Sequence, residues 1–302
     1  MRAKLLSLWE IIKTSIIRFN QDKCWTYSIV ISYFALLCSV PLVALFVYIS
    51  AKVLGTSELA IRSLNLFSDE FFAHLDPSFF KKLALISQNI TSLGWLGLGG
   101  SFVAASFLFS NLIAAINHIF KANYQKSFFY NRLMEYIIMF TLGLILLVSL
   151  AITAIWTALH RLIGTSSFVA SHINPQWLAF IDNFLIQYLI PFILTFLVLF
   201  SIYKFIPEIK VHTEPAAIAA GITAIFWEAF KRIFAFYVVH FSAIGIVLSK
   251  LLQGTLASII FFLLWISFSL IFLLWGAELA ALLNERHKER LRFKIKEAAD
   301  EA

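Results

Sequence analysis

PAAIAAGITAIFWEAFKRIFAFYVVHF, residues 215–241, decides the fold. At about 1.5 Å per residue it is long enough, as one helix, to cross roughly 30 Å of hydrocarbon. Glu228, Lys231 and Arg232 interrupt its apolar run. Spacings of i, i+3 and i+4 put the carboxylate and both cations on one helix face, within pairing distance. Charge at that depth costs several kcal/mol unless it pairs or faces a polar interior. The cluster is therefore the chain's first candidate for a substrate or ion site. An architectural ion pair that locks this span into a bundle fits the same residues.

The composition agrees with a membrane-embedded chain. Of 302 residues, 61% are hydrophobic and 14% charged, where soluble domains have about 25% charged. Mean hydropathy is +0.86. The net charge of +7 comes from cations in short segments beside apolar runs, as expected for helix orientation and for contact with anionic lipid head groups. No basic stretch interleaves with aromatics on a soluble module, so nucleic acid is not an expected partner. Membrane lipids are, and a homo-oligomer is compatible with the sequence. Cys24 and Cys38 form no ligand spacing and imply no disulfide framework. The N-terminal segment lacks the short apolar core and small-residue cleavage site of a signal peptide.

Working outward gives an all-α, polytopic membrane protein with a bundle of six transmembrane helices. Residues 1–26 carry an amphipathic helix with Leu5, Leu8, Trp9, Ile12, Ile16 and Phe19 on one face. Such a helix suits either the cytoplasmic interface plane or the underside of the bundle. The transmembrane domain covers 27–283, with spans near 27–54, 92–119, 135–159, 184–205, 215–241 and 255–283. Pro41 and Pro191 are expected helix kinks. Residues 55–91 are an extracytoplasmic helical cap, and 284–302 a charged, solvated cytoplasmic tail. Residues 242–254 are too polar to span and suit a re-entrant or interfacial segment. Sixteen of the 24 Lys and Arg residues fall on the side of the two termini and five on the other, which places both termini in the cytoplasm.

Asn111, deep in the second span, needs a hydrogen-bond partner and is expected to find one on another helix; it joins the candidate site. Asp22, Asn117, His240 and Glu278 are secondary candidates. The six spans also permit two three-helix halves of inverted topology, as in many transporters.

Four stretches resemble the YihY/BrkB family of bacterial inner-membrane proteins, formerly mislabelled ribonuclease BN. They are DKCWTYSIVISYFALLCSVPLVAL (22–45), NHIFKANYQKSFFYNRL (117–133), FWEAFKRIFAFYVVHFS (226–242) and LLWISFSLIFLLWGAELAAL (263–282). Asp22, Ser32, Tyr33, Ser39 and Pro41 match the family's first pattern; Trp227, Glu228, Lys231 and Gly276 to Leu279 match later ones. The Tyr-Gly pair and proline expected between the last two spans are absent. The resemblance implies a six-helix inner-membrane protein of Gram-negative type tied to envelope integrity, and names no substrate.

Three functions follow: a transporter or lipid translocator, a non-transporting envelope scaffold, or an enzyme. The third lacks support in the residues. The seven histidines are scattered, and no HExxH, P-loop, GxSxG or GxGxxG pattern occurs. No metal site, catalytic residue or cofactor is expected.

Overall fold

The structure, a computed structural model, describes residues 2–38, 95–122, 189–241 and 255–300, with 133, 136–138, 140, 141 and 144 between them. All the described elements are helices: α1 Arg2–Gln21, α2 Cys24–Cys38, α3 Trp95–Ile119, α4 Ile190–Phe205, α5 Thr213–Phe241 and α6 Thr255–Asp300. Pro41, the 55–91 cap, the span near 135–159 apart from single residues, the outer loop near 160–183 and the 242–254 segment lie outside the described residues.

α5 begins where the sequence places it. Glu214 stands in its first turn, where a carboxylate meets the positive end of the helix dipole. Pro191, an expected kink, lies in the first turn of α4, two residues after Leu189, which is itself in the helical conformation (φ −74°, ψ −48°). α3 ends in a Schellman motif. Lys121 takes the left-handed conformation (φ 51°), with Ala122 N–H donating to Asn117 O and Lys121 N–H to His118 O, both at 3.0 Å. α1 turns into α2 through Asp22 and Lys23, the latter also left-handed at φ 53°.

α6 is the axis of the packing: α5, α1, α3 and α4 all lie against it, and α5 also packs on α4. Its 46 residues extend about 69 Å, and the backbone has no break at 284, where composition shifts from apolar span to charged tail. Among the described residues α6 alone is long and apolar enough to cross a membrane, over Phe262–Glu297; α2 and α4 are shorter apolar helices.

Burial is arranged as hydrocarbon requires. α2 hides Ser28 and Ser32 and exposes Ile29, Val30, Tyr33 and Leu37. Each buried hydroxyl bonds its own helix: Ser28 Oγ to Cys24 O and Ser32 Oγ to Ile29 O. Ser32 Oγ also accepts from Ser267 Oγ of α6 at 2.9 Å. Small residues let helices approach closely where no hydrophobic force drives them together. Ala216, Ala219, Ala220 and Ala224 of α5 and Gly276, Ala277 and Ala280 of α6 are all buried.

α1 packs against α6. Its buried stripe is Ile11, Ser15 and Phe19, while Ile16, expected on the apolar face, is 55% exposed. The stripe turns because Ser15 is satisfied where it is buried. Its hydroxyl donates to Ile12 O at 2.8 Å and accepts Trp275 Nε1 at 3.0 Å.

Candidate functional site

α5 presents two faces over one stretch. Trp227, Phe230 and Phe234, at i, i+3 and i+7, meet Trp265, Phe268 and Phe272 of α6, with Phe230 and Phe272 4.9 Å apart and Phe234 and Trp265 5.1 Å apart. Offset and tilted aromatic pairs of this kind fix two helices laterally. The other face continues the buried stripe Ala220, Ala224 by one more turn to Glu228. Lys231 Nζ pairs with Glu228 Oε1 at 2.6 Å, their side chains 15% and 16% exposed. Thr195 of α4 donates to the same oxygen at 3.3 Å. The ion pair thus faces α4 and is mostly shut off from the surface.

Arg232 follows one residue later and is exposed. Asn111 Nδ2 donates to Phe107 O at 2.8 Å, on its own helix, and among the described residues no bond from it to another helix occurs. A carboxamide can turn back on the carbonyl four residues before it, and this satisfies it locally. His240 lies near the end of α5, with its side chain outside the described residues.

The remaining candidates lie toward the α1–α2 turn and the α4–α5 turn. Asn117, fully buried, accepts the Glu208 N–H on Oδ1 at 3.0 Å. Asn284, which the sequence reading put in a solvated tail, is 1% exposed. Its Oδ1 accepts the His212 N–H at 3.0 Å and its Nδ2 donates to Lys210 O at 3.3 Å. Lys204 Nζ reaches Val211 O across the same turn. Two asparagines from α3 and α6 thus hold the α4–α5 connection by its backbone. Sequence offered one signal for Asn284, an uncharged amide at the head of a charged run.

Asp22 and Glu278, from opposite ends of the chain, come together. Glu278 is 1% exposed, and its Oε1 accepts the buried Cys24 thiol at 3.6 Å across 254 residues of sequence. Asp22 is within hydrogen-bonding reach of it. Among the described residues Cys24 and Cys38 form no disulfide.

A bundle that buries serines, asparagines and the better part of an ion pair while exposing large apolar side chains is a helical membrane protein. The family profile described as Virulence factor BrkB matches residues 15–301, and the chain belongs to that family. It is similar to a UPF0761 membrane protein of Vibrio campbellii, 26% identical over 270 residues covering 89% of this chain and 80% of the relative. One of Vibrio cholerae is 28% identical over 274 residues, 89% of this chain and 85% of the relative. One of Vibrio vulnificus is 26% identical over 280 residues, 92% and 84%. No solved structure matches the chain.

Proposed function

We propose that the protein is a multi-pass inner-membrane translocator of a lipid or another amphiphile, with six spans and both termini in the cytoplasm. The observation that carries this reading is the Glu228–Lys231 pair, held by Thr195 between two apolar helices. A closed carboxylate–ammonium pair can open to an anionic head group, the lysine exchanging its carboxylate for a phosphate or carboxylate of the cargo. Arg232, one residue on and exposed, supplies a second cation at the mouth of that path. The basic segments at the termini and between spans meet anionic head groups on the cytoplasmic face.

One observation favours the alternative, a non-transporting scaffold for the envelope. The carboxylate already has two partners, and one of them is three residues away on its own helix. Such a pair holds α4 on α5 without needing cargo.

Cysteine accessibility separates the two. Single cysteines from Ala224 to Phe236, in a background with Cys24 and Cys38 replaced by alanine, are probed with a membrane-impermeant thiol reagent. Translocation requires labelling along the Glu228 and Lys231 face. Protection of that face, with labelling only at Arg232, would leave the scaffold.

A further inference from the structure

Glu278 raises a problem that the ion pair on α5 does not touch. Its side chain is 1% exposed, and its Oε2 has no hydrogen-bond partner among the described residues. Among the described residues its Oε1 accepts from the Cys24 thiol alone, at 3.6 Å, and a thiol is a weak donor. Asp22, in the turn between α1 and α2, faces it at hydrogen-bonding reach. Two ionised carboxylates are acceptors only, so this approach lacks a hydrogen.

The titratable groups around Glu278 do not supply it. Asp22 comes from the α1–α2 turn, Cys24 from α2 and Arg18 from α1. Arg18 is the only cation of the set; it acts on Glu278 through its charge and not through a hydrogen bond, and its Nη2 pairs with Glu285 of α6 at 2.8 Å. Lys23, beside Asp22 in sequence, has an exposed side chain. Among the described residues no group of three or more His, Cys, Asp or Glu is arranged to hold a metal ion.

We propose that Asp22 and Glu278 form a proton-binding site, in which one hydrogen bridges the two carboxyl groups and the Cys24 thiol caps the remaining oxygen. The bridging proton removes the repulsion of two adjacent anions and supplies the donor that Oε2 lacks. The site lies where α1, α2 and α6 meet, at a turn that already holds Lys23 in the left-handed region. Loss of the proton would set two anions against each other there and push the turn off α6. The proposal is independent of translocation, since nothing in it involves the α5 pair.

Infrared spectroscopy of the full-length protein in lipid nanodiscs tests it. At neutral pH the wild type is expected to show the carbonyl stretch of a protonated carboxyl group, shifting in deuterium oxide. Ordinary aspartates and glutamates are ionised there and give none. The band is expected to disappear in Asp22→Asn and in Glu278→Gln, and to remain in Glu208→Gln. Cys24→Ala should leave it in place but move its frequency, because the thiol no longer bonds Oε1. That variant decides the matter if the two carboxyl variants do not fold. No such band in the wild type, a band that survives both Asp22→Asn and Glu278→Gln, or one indifferent to Cys24→Ala where those two fail to fold, overturns the proposal.

Discussion

Asn284 holds His212 by its backbone: the His212 N–H donates to Asn284 Oδ1 at 3.0 Å, joining the α4–α5 turn to α6 just beyond its apolar span. The same side chain returns a bond to Lys210 O, so one buried amide serves both a donor and an acceptor of an irregular segment. Buried backbone groups outside helices need such partners, and removing one leaves the desolvation cost behind. Asn284→Ala is expected to lower stability by about 2 kcal/mol, read as a fall in Tm in detergent. An unchanged Tm would show that water takes over both bonds.

Gly276 is where three helices close. A Cβ there would stand 2.0 Å from Tyr203 Oη and 2.2 Å from Thr223 Oγ1. Tyr203 cannot swing aside, being fully buried with its hydroxyl donating to Leu273 O at 2.9 Å. Gly276→Ala should therefore cost about 3 kcal/mol, the upper end for overpacking. Adding Tyr203→Phe removes the nearest atom and should recover part of the loss. The coupling is measured by comparing the Tm values of both single variants and the double variant.

These two sites show what a sequence can and cannot disclose. The extent of α5 was legible because its apolar run, and the Glu214-Pro215 start, are local. The Glu228–Lys231 pair was legible because i,i+3 spacing is itself a contact rule. Asn117 stood only as a secondary candidate and Asn284 as the start of a solvated tail; their partners are 91 and 72 residues away, and nothing local records them. Asp22 and Glu278 each stood out by motif, yet only the packing of α1 and α2 on α6 brings them together. The boundary at 284 was read from composition, which tracks the change of solvent around a helix and not the end of the helix.

Acid should loosen the α4–α5 turn through His212. Desolvation first, then His287 with its ring 4.7 Å away, and then Lys210, Lys288 and Lys204 lower the His212 pKa from the ordinary histidine value. In the unfolded chain those neighbours disperse, so the unfolded state binds more protons once the pH falls through about 6.5. Stability is thus unaffected by this group well above that pH and declines as pH drops below it. Wild-type Tm is expected to fall between about pH 7.5 and about pH 5.5, and His212→Gln to show a shallower fall. Equal slopes would assign the acid sensitivity to other groups.

The Glu228–Lys231 pair yields the prediction that separates architecture from use. Lys231→Met keeps most of the apolar stem but leaves the Glu228 carboxylate with Thr195 as its hydrogen-bond donor. Breaking one half of a desolvated pair costs about 3–5 kcal/mol when burial is complete and about 1 or less when the pair is exposed. At 15–16% exposure the loss should lie nearer the buried limit, at about 3 kcal/mol. Glu228→Gln with Lys231→Met removes both charges and should restore most of the Tm, since a neutral pair carries no unpaired ion. Stability then stops distinguishing the double variant from wild type, and activity can be read cleanly. A double variant that is stable and still moves a labelled anionic lipid across reconstituted vesicles as wild type does makes the pair a strut between α4 and α5. One that is stable yet moves none, where wild type does, means that the charges act on something other than each other.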